Sequence, residues 1–204
     1  MKKLFGAIVA FALLAFNFNV QASDTQNPYA LANEVATKTI SDIKANKDKL
    51  TDKAFANELI EKDLMPYIDS KYAAYKVMGT SLKTISAQDR EKFTAAFTDY
   101  MKQNMVGVLT KYTNQDIVPS EVKDVDDKTN LVSVKLFIRE EGKKDLELIL
   151  KLRKNNKTGV WKAFDLIGEN ISMLDAKISE ISPIIKAQGV DAAIAKLQEG
   201  DSNK

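Results

Sequence analysis

The sequence predicts an α+β fold, helices packed on a curved antiparallel β-sheet, and three observations carry that expectation. Apolar residues recur at helical spacing from Pro28 to Tyr112, change to a period of two over Val132–Ile138 and Leu146–Leu152, and return to helical spacing from Ser172. The connections inside the alternating block, Glu140 to Asp145 and Asn155 to Gly159, are short and carry Gly and Asn, which suits hairpins between neighbouring strands. The chain of 204 residues shows no internal repeat, low-complexity block or Pro/Gly/Ser linker, so one domain is expected.

Each element has a local reason. Asn27 can cap a first helix with Pro28 at its first position, and Ala32, Val35, Ala36, Ile40 and Ile43 supply its apolar stripe before the polar run Asn46 to Lys49. A short helix follows around Phe55 to Ile60. Pro66 is then expected to open a helix carrying Tyr67, Ile68, Tyr72 and Tyr75 that stops at Gly79. Ser86 followed by Asp89 resembles a capping box, and Phe93, Ala96, Phe97, Tyr100, Met101, Met105, Val108, Leu109 and Tyr112 form one long apolar face behind it. Val132, Val134, Leu136 and Ile138 then alternate with polar residues, as do Leu146, Leu148, Leu150 and Leu152, and Val160 to Ile167 reads as a third strand. Ile117 to Val125 offers an edge strand broken by Pro119. Leu174, Ile178 and Ile181 mark the next helix; Ser182-Pro183 is expected to start a fresh turn, Gly189 to end it, and Val190 to Gln198 to form a last short helix.

The first residues bear on the compartment. Lys2 and Lys3 precede an apolar stretch from Leu4 to Phe16, and Val20 and Ala22 suit a cleavage site, so residues 1–22 read as a cleaved secretory signal peptide and 23–204 as the mature domain. The stretch is shorter than the roughly 18 to 20 residues a membrane span requires. Its two lysines are its only charges, so its removal turns the formal +2 of 30 basic against 28 acidic residues into an even balance. A neutral mature chain gives no electrostatic case for nucleic acid or an anionic lipid surface, and the product is expected to be soluble.

Histidine and cysteine are both absent. That removes imidazole bases, thiolate nucleophiles, His- or Cys-ligated metals and disulfides, and leaves binding, or catalysis by carboxylate, lysine or tyrosine. Ser41-Asp42-Ile43-Lys44 and Lys157-Thr158-Gly159 imitate the S-x-x-K and K-T-G elements of penicillin-recognising enzymes, but the S-D-N element between them is missing and the second falls in a predicted hairpin turn. Asp124, Asp126 and Asp127 lack the glycine and the third ligand of a calcium loop, because Lys128 stands there; a solvated acidic turn fits better. Asp165, among Ala163, Phe164, Leu166 and Ile167, has the setting of a general base in a cone-shaped barrel of the ketosteroid-isomerase type. The outer face of a strand, or the cap of the turn after it, suits it better, since no partner pattern for a base accompanies it.

Taken in order, several blocks resemble the MlaC family, also described as the toluene-tolerance auxiliary component or periplasmic phospholipid-binding proteins. They are Asn27-Pro28-Tyr29, Leu64-Met65-Pro66-Tyr67 with Lys71-Tyr72-Ala73 and Gly79, and the long helix with Phe93, Phe97 and Tyr100. The most specific is Gly159 to Ile167 (GVWKAFDLI) running into Glu169-Asn170-Ile171-Ser172-Met173, followed by Gly189-Val190-Asp191. Asn170 departs from the glycine typical of the family, but Asn tolerates the left-handed conformation best after Gly. The resemblance covers nearly the whole mature chain.

It implies an NTF2-like fold enclosing an apolar pocket, and a soluble, monomeric periplasmic carrier of glycerophospholipid with no cofactor or metal. Such a carrier would exchange lipid between an outer-membrane lipoprotein–porin complex and the MCE-domain subunit of an inner-membrane ABC transporter, so maintaining outer-membrane lipid asymmetry. The physics agrees: at about 0.8 kcal/mol per methylene, two acyl chains of roughly sixteen carbons cost on the order of 25 kcal/mol to expose to water. The residues expected to sheathe them are Val77 and Met78, then Phe93, Phe97, Tyr100, Met101 and Met105 of the long helix, and Val134, Leu136, Leu148, Leu150 and Trp161 of the sheet. Which face of each strand looks inward is left open by the pattern. A small-molecule enzyme using Asp165 and a pure interaction adaptor with a filled core are the alternatives.

Overall fold

The computed structural model describes residues 27–202; the expected signal peptide and its cleavage after Ala22 lie outside the described residues. Among the described residues six α-helices and five strands follow in the order α1 (Pro28–Ala45), α2 (Lys53–Asp63), α3 (Ser70–Met78), α4 (Ala87–Leu109), β1 (Asp116–Val118), β2 (Leu131–Arg139), β3 (Leu146–Lys154), β4 (Trp161–Gly168), β5 (Ile171–Ser172), α5 (Met173–Gln188) and α6 (Val190–Ser202). The strands form one antiparallel sheet in chain order, the α+β meander that the change of period predicts. None of the helices in the described residues is long and apolar enough to cross a membrane.

The helix starts are set by side chains that satisfy the free N–H groups of a first turn. Asn27 Oδ1 accepts from Tyr29 and Ala30 N–H, Ser86 Oγ from Asp89 N–H and Ser172 Oγ from Asp175 N–H. Gly79 and Gly189 close α3 and α5, both at positive φ. Pro119 stops β1 after three residues.

Two prolines behave differently from expectation. The helix expected to open at Pro66 opens at Ser70: Met65–Tyr67 make one tight turn, Ile68 is extended and bridges Ala163, and Asp69 N–H donates to the Ala163 carbonyl at 2.7 Å. The free edge of β4 thus captures this segment, and Asp69 becomes the α3 cap by accepting from Tyr72 N–H. Ser182-Pro183 starts no new turn; α5 runs through Pro183. Ile178, Ile181 and Ile185 keep one apolar face across it, Ile181 and Ile185 inside one core cluster and Ile178 packed against it. Ser182 Oγ donates to the Val77 carbonyl at 2.6 Å, tying α5 to the unpaired C-terminal end of α3. The long helix also stops at Leu109, before Tyr112, whose hydroxyl donates to the Gln115 carbonyl. β5 was not expected: Glu169 and Asn170 both take positive φ, 50° and 64°, the signature of a two-residue hairpin turn that folds Ile171–Ser172 back on β4.

The core is divided into three clusters. The largest joins α3, α4, α5 and α6 through Val77, Met78, Phe93, Phe97, Leu174, Ile181 and Leu197. A second joins α1, α2 and the C-terminal half of α4, and a third packs Leu31 and Ala32 of α1 on Val134, Leu152 and Trp161.

Candidate functional site

The long helix α4 carries an aromatic column. Phe93 and Phe97 stack at 5.9 Å between centroids, and Tyr100 follows Phe97 at 6.0 Å, tilted by 33°. Burial falls along the helix: Phe93 is 0% exposed and Phe97 3%, while Tyr100, Met101 and Met105 are half-buried and Val108 is 74% exposed. The N-terminal half is therefore packed core, whereas in the C-terminal half Val106 and Leu109 are buried against α1 and α2 and the face carrying Tyr100, Met101 and Met105 stays partly open to water. α4 itself packs on α2, α3 and α6, whereas the sheet takes its main helix contacts from α1, α3 and α5.

The sheet register settles which strand residues share a face. Val134 pairs with Leu150 and Leu136 with Leu148, and directly opposed residues of an antiparallel pair point to the same side. On β4 the same side continues through Ala163 and Leu166, opposite Leu152 and Leu150. Alternation puts Trp161 there too. A bulge after Lys151 leaves Phe164 unpaired, which is why a simple period of two cannot place it. Phe164 meets Tyr72 edge-on at 5.1 Å and packs against the α3–α6 cluster.

The expected wall residues therefore fall in different places. Val77, Met78, Phe93 and Phe97 sit in the helical core, with Tyr100 and Met101 packed against it. Met105 lies against the α1–α2–α4 cluster, and Val134 and Trp161, with Leu150, belong to the α1–sheet cluster. Leu136 and Leu148 share the Val134 face; Leu136 is buried and Leu148 half-buried. Leu166 and Ile138, half-buried on that same face, were not among the expected residues, although their strand alternation would have included them.

Asp165 is buried and its carboxylate is engaged. It accepts from Leu174 N–H at 3.0 Å and from the Ser172 hydroxyl at 2.8 Å, with Lys151 Nζ at 3.4 Å. Both oxygens thus hold the first turn of α5, the capping role weighed against that of a base. Ser41 is exposed on α1, and Lys44 pairs with Asp116. Asp126 closes its own turn by accepting from Lys128 N–H.

The clearest charged group beside the half-buried part of α4 is Lys177 of α5, whose ammonium lies 4.7 Å over the Tyr100 ring and pairs with Glu180. Burial alone would lower its pKa, but hydrogen bonds to Glu180 and Tyr100 outweigh that and hold it above the ordinary lysine value. A cleft of about 270 Å³ lies elsewhere, between the start of α3 and the β3–β4 hairpin, and none of the expected wall residues lines it.

Lys38 also pairs with the buried Asp63, and the carboxylates with shifted pKa values lie at the surface. Asp42, Asp116, Glu140 and Asp145 are held below their ordinary values, chiefly by hydrogen bonds from Lys38, Lys44, Lys143 and Arg139 respectively. A depressed carboxylate stabilises the fold above its unfolded pKa, and the contribution fades as pH falls through the folded one. Lys44 and Lys92 are raised by Asp116 and Asp191, so their share is full below the unfolded lysine value and lost only at strongly alkaline pH. With no histidine or cysteine to titrate between, the urea midpoint should be level from about pH 5.5 to 9 and fall below about pH 4. A clear slope between about pH 6 and 8 would contradict this assignment of the titrating groups.

Comparison with known proteins gives three findings. The profile of the family described as MlaC protein matches residues 33–199. A relative from Haemophilus influenzae, named intermembrane phospholipid transport system binding protein MlaC, is 36% identical over 204 residues, covering 99% of this chain and 94% of that protein. A phospholipid-binding protein from Ralstonia solanacearum, solved in complex with a phospholipid, superposes with a TM-score of 0.76 over 87% of this chain and 98% of that one. At 16% identity it speaks for the fold alone, and the NTF2-like expectation is consistent with it. On the family match and the full-length relative, the chain belongs to the MlaC family.

Proposed function

We propose that residues 23–204 form a single periplasmic domain, released by cleavage after Ala22, that binds glycerophospholipid by its acyl chains and carries it between membranes. The likeness to the Haemophilus influenzae protein, whose name assigns it to intermembrane phospholipid transport, supports the ligand and the pathway. The observation in this molecule that carries the reading is the half-buried apolar stretch of α4 together with Leu148, Leu150 and Leu166 of the sheet. An ordinary core would bury such residues fully.

The twelve expected residues divide by role in this proposal. Tyr100, Met101 and Met105 with Leu148 and Leu150 touch the acyl chains, and Leu136 backs them on the sheet. Val77, Met78, Phe93, Phe97, Val134 and Trp161 form the packed support that holds those walls in position. Methionine and tyrosine suit this use, since a flexible thioether and an amphipathic ring accommodate chains of varied length. No reaction is required, and Asp165 is occupied as a cap.

The outer-membrane lipoprotein–porin complex would load or unload the carrier, and the MCE-domain subunit of the inner-membrane ABC transporter would exchange with it. The chain acts as a monomer without cofactor or metal. Protein loaded with fluorescent phospholipid should pass that lipid to a purified MCE-domain subunit when the two are mixed and separated. Lipid that stays wholly on the carrier would reject the exchange while leaving lipid binding intact.

A further inference from the structure

We infer that the cleft between the start of α3 and the β3–β4 hairpin is a phosphate-recognition site, separate from the acyl-chain walls. It is lined by Lys71 and Lys162 with Ser70, Thr158, Asn155 and Asp69, and by Ile68 and Val160. Its distinguishing property is the balance of donors and acceptors.

The side-chain acceptors are already used. Asp69 Oδ1 accepts from Tyr72 N–H at 3.0 Å and Oδ2 from the Arg153 guanidinium, which neutralises the one carboxylate in the cleft. Asn155 Oδ1 accepts from Lys157 and Thr158 N–H, at 2.9 and 3.3 Å, and Thr158 Oγ1 accepts from Val160 N–H at 3.4 Å. What remains is the Asn155 amide N–H₂, the hydroxyls of Thr158 and Ser70, and two ammonium groups. Among the described residues neither ammonium is paired with a carboxylate; Lys71 lies 5.7 Å from the Tyr75 ring.

The surroundings add to this. Residues 151–162 contain Lys151, Arg153, Lys154, Lys157 and Lys162 and no acid. Lys151 and Arg153 are paired with Asp165 and Asp69, which leaves Lys154, Lys157 and Lys162 as uncompensated charge around the cleft, in a chain that is otherwise close to neutral. A site rich in donors, poor in free acceptors and positive in potential binds an oxyanion. Donors converging from two sides, the helix start and the hairpin, suit a tetrahedral phosphate better than a two-oxygen carboxylate. The source is either the phosphodiester of a lipid headgroup or free phosphate, and the two share this chemistry.

The test is an amide-shift titration of the mature protein by two-dimensional NMR with inorganic phosphate, with sodium chloride at matched ionic strength as reference. Saturable shifts at Ser70, Lys71, Asn155, Thr158 and Lys162 in the millimolar range are expected. Lys71→Gln with Lys162→Gln should weaken them by roughly tenfold, and the Lys71→Arg, Lys162→Arg pair should retain them. Repeating the titration with glycerophosphoglycerol separates the sources: tighter binding than inorganic phosphate assigns a lipid headgroup, and weaker binding assigns free phosphate. No saturable shift, shifts reproduced by chloride, or a glutamine pair that titrates like the parent would overturn the site. Co-purified lipid measured on the glutamine pair keeps this result apart from the acyl-chain proposal, because none of the wall residues lines the cleft.

Discussion

Replacing Phe93 by alanine should lower the stability of the fold by about 3–5 kcal/mol, the largest loss expected from any single truncation here. Phe93 is 0% exposed, stacks on Phe97 and sits where α3, α4, α5 and α6 meet. Truncation removes the transfer energy of a whole ring and leaves a cavity that four helices joined by short connections can collapse only in part. At about 2–4 °C per kcal/mol for a domain of this size, the thermal midpoint should fall by roughly 10 °C. Urea unfolding measures the loss directly. A cost below about 1 kcal/mol would mean that the ring borders empty or ligand-filled space, and Phe93 would then move from support to wall.

Met101→Glu should do the reverse, abolishing lipid binding while leaving the fold largely intact. Met101 is only half-buried, so without ligand the new carboxylate can turn to water, and glutamate is as good a helix former as methionine. With ligand present it must lie against hydrocarbon, where an unpaired charge costs several kcal/mol. Each 1.4 kcal/mol is tenfold in affinity, so lipid recovered per protein should drop by roughly a hundredfold or more, with stability changed by less than about 1.5 kcal/mol. Extraction and quantitation of lipid, beside a urea curve on the same preparation, give both numbers. A variant that keeps its full complement of lipid would remove Met101, and the accessible part of α4 with it, from the wall.

These two residues also show how far sequence can be read. Phe93 and Met101 lie on the same apolar stripe, and periodicity alone treats them alike. The stripe shows that a face is turned from bulk water, but whether the space beyond is filled depends on which elements arrive there. Local chemistry was more legible. Asn27, Ser86 and Ser172 start their helices as expected because a cap is settled within four residues, and the three-strand meander follows from alternation and short Gly/Asn turns.

The misplaced boundaries all have tertiary causes. Ile68 left the expected helix because an exposed edge of β4, far along the chain, pairs with it at Ala163, whose carbonyl accepts from the next N–H, that of Asp69. Pro183 failed to interrupt α5 because its flanking isoleucines are held by the helical core. Phe164 could not be placed by alternation because the bulge after Lys151 shifts the register of β4. Asp165 illustrates the same limit at the level of function: an acid among apolar neighbours favours a cap over a base for want of a partner pattern, but the cap is identified only when the chain that follows is seen folded back onto it.

The central claim is that this chain holds phospholipid as isolated. Protein exported in a bacterial host, purified without detergent and analysed by mass spectrometry under denaturing conditions should release glycerophospholipid at close to one molecule per chain, with that lipid lost from Met101→Glu. Preparations of the parent protein that are folded, monodisperse and free of phospholipid would contradict the account.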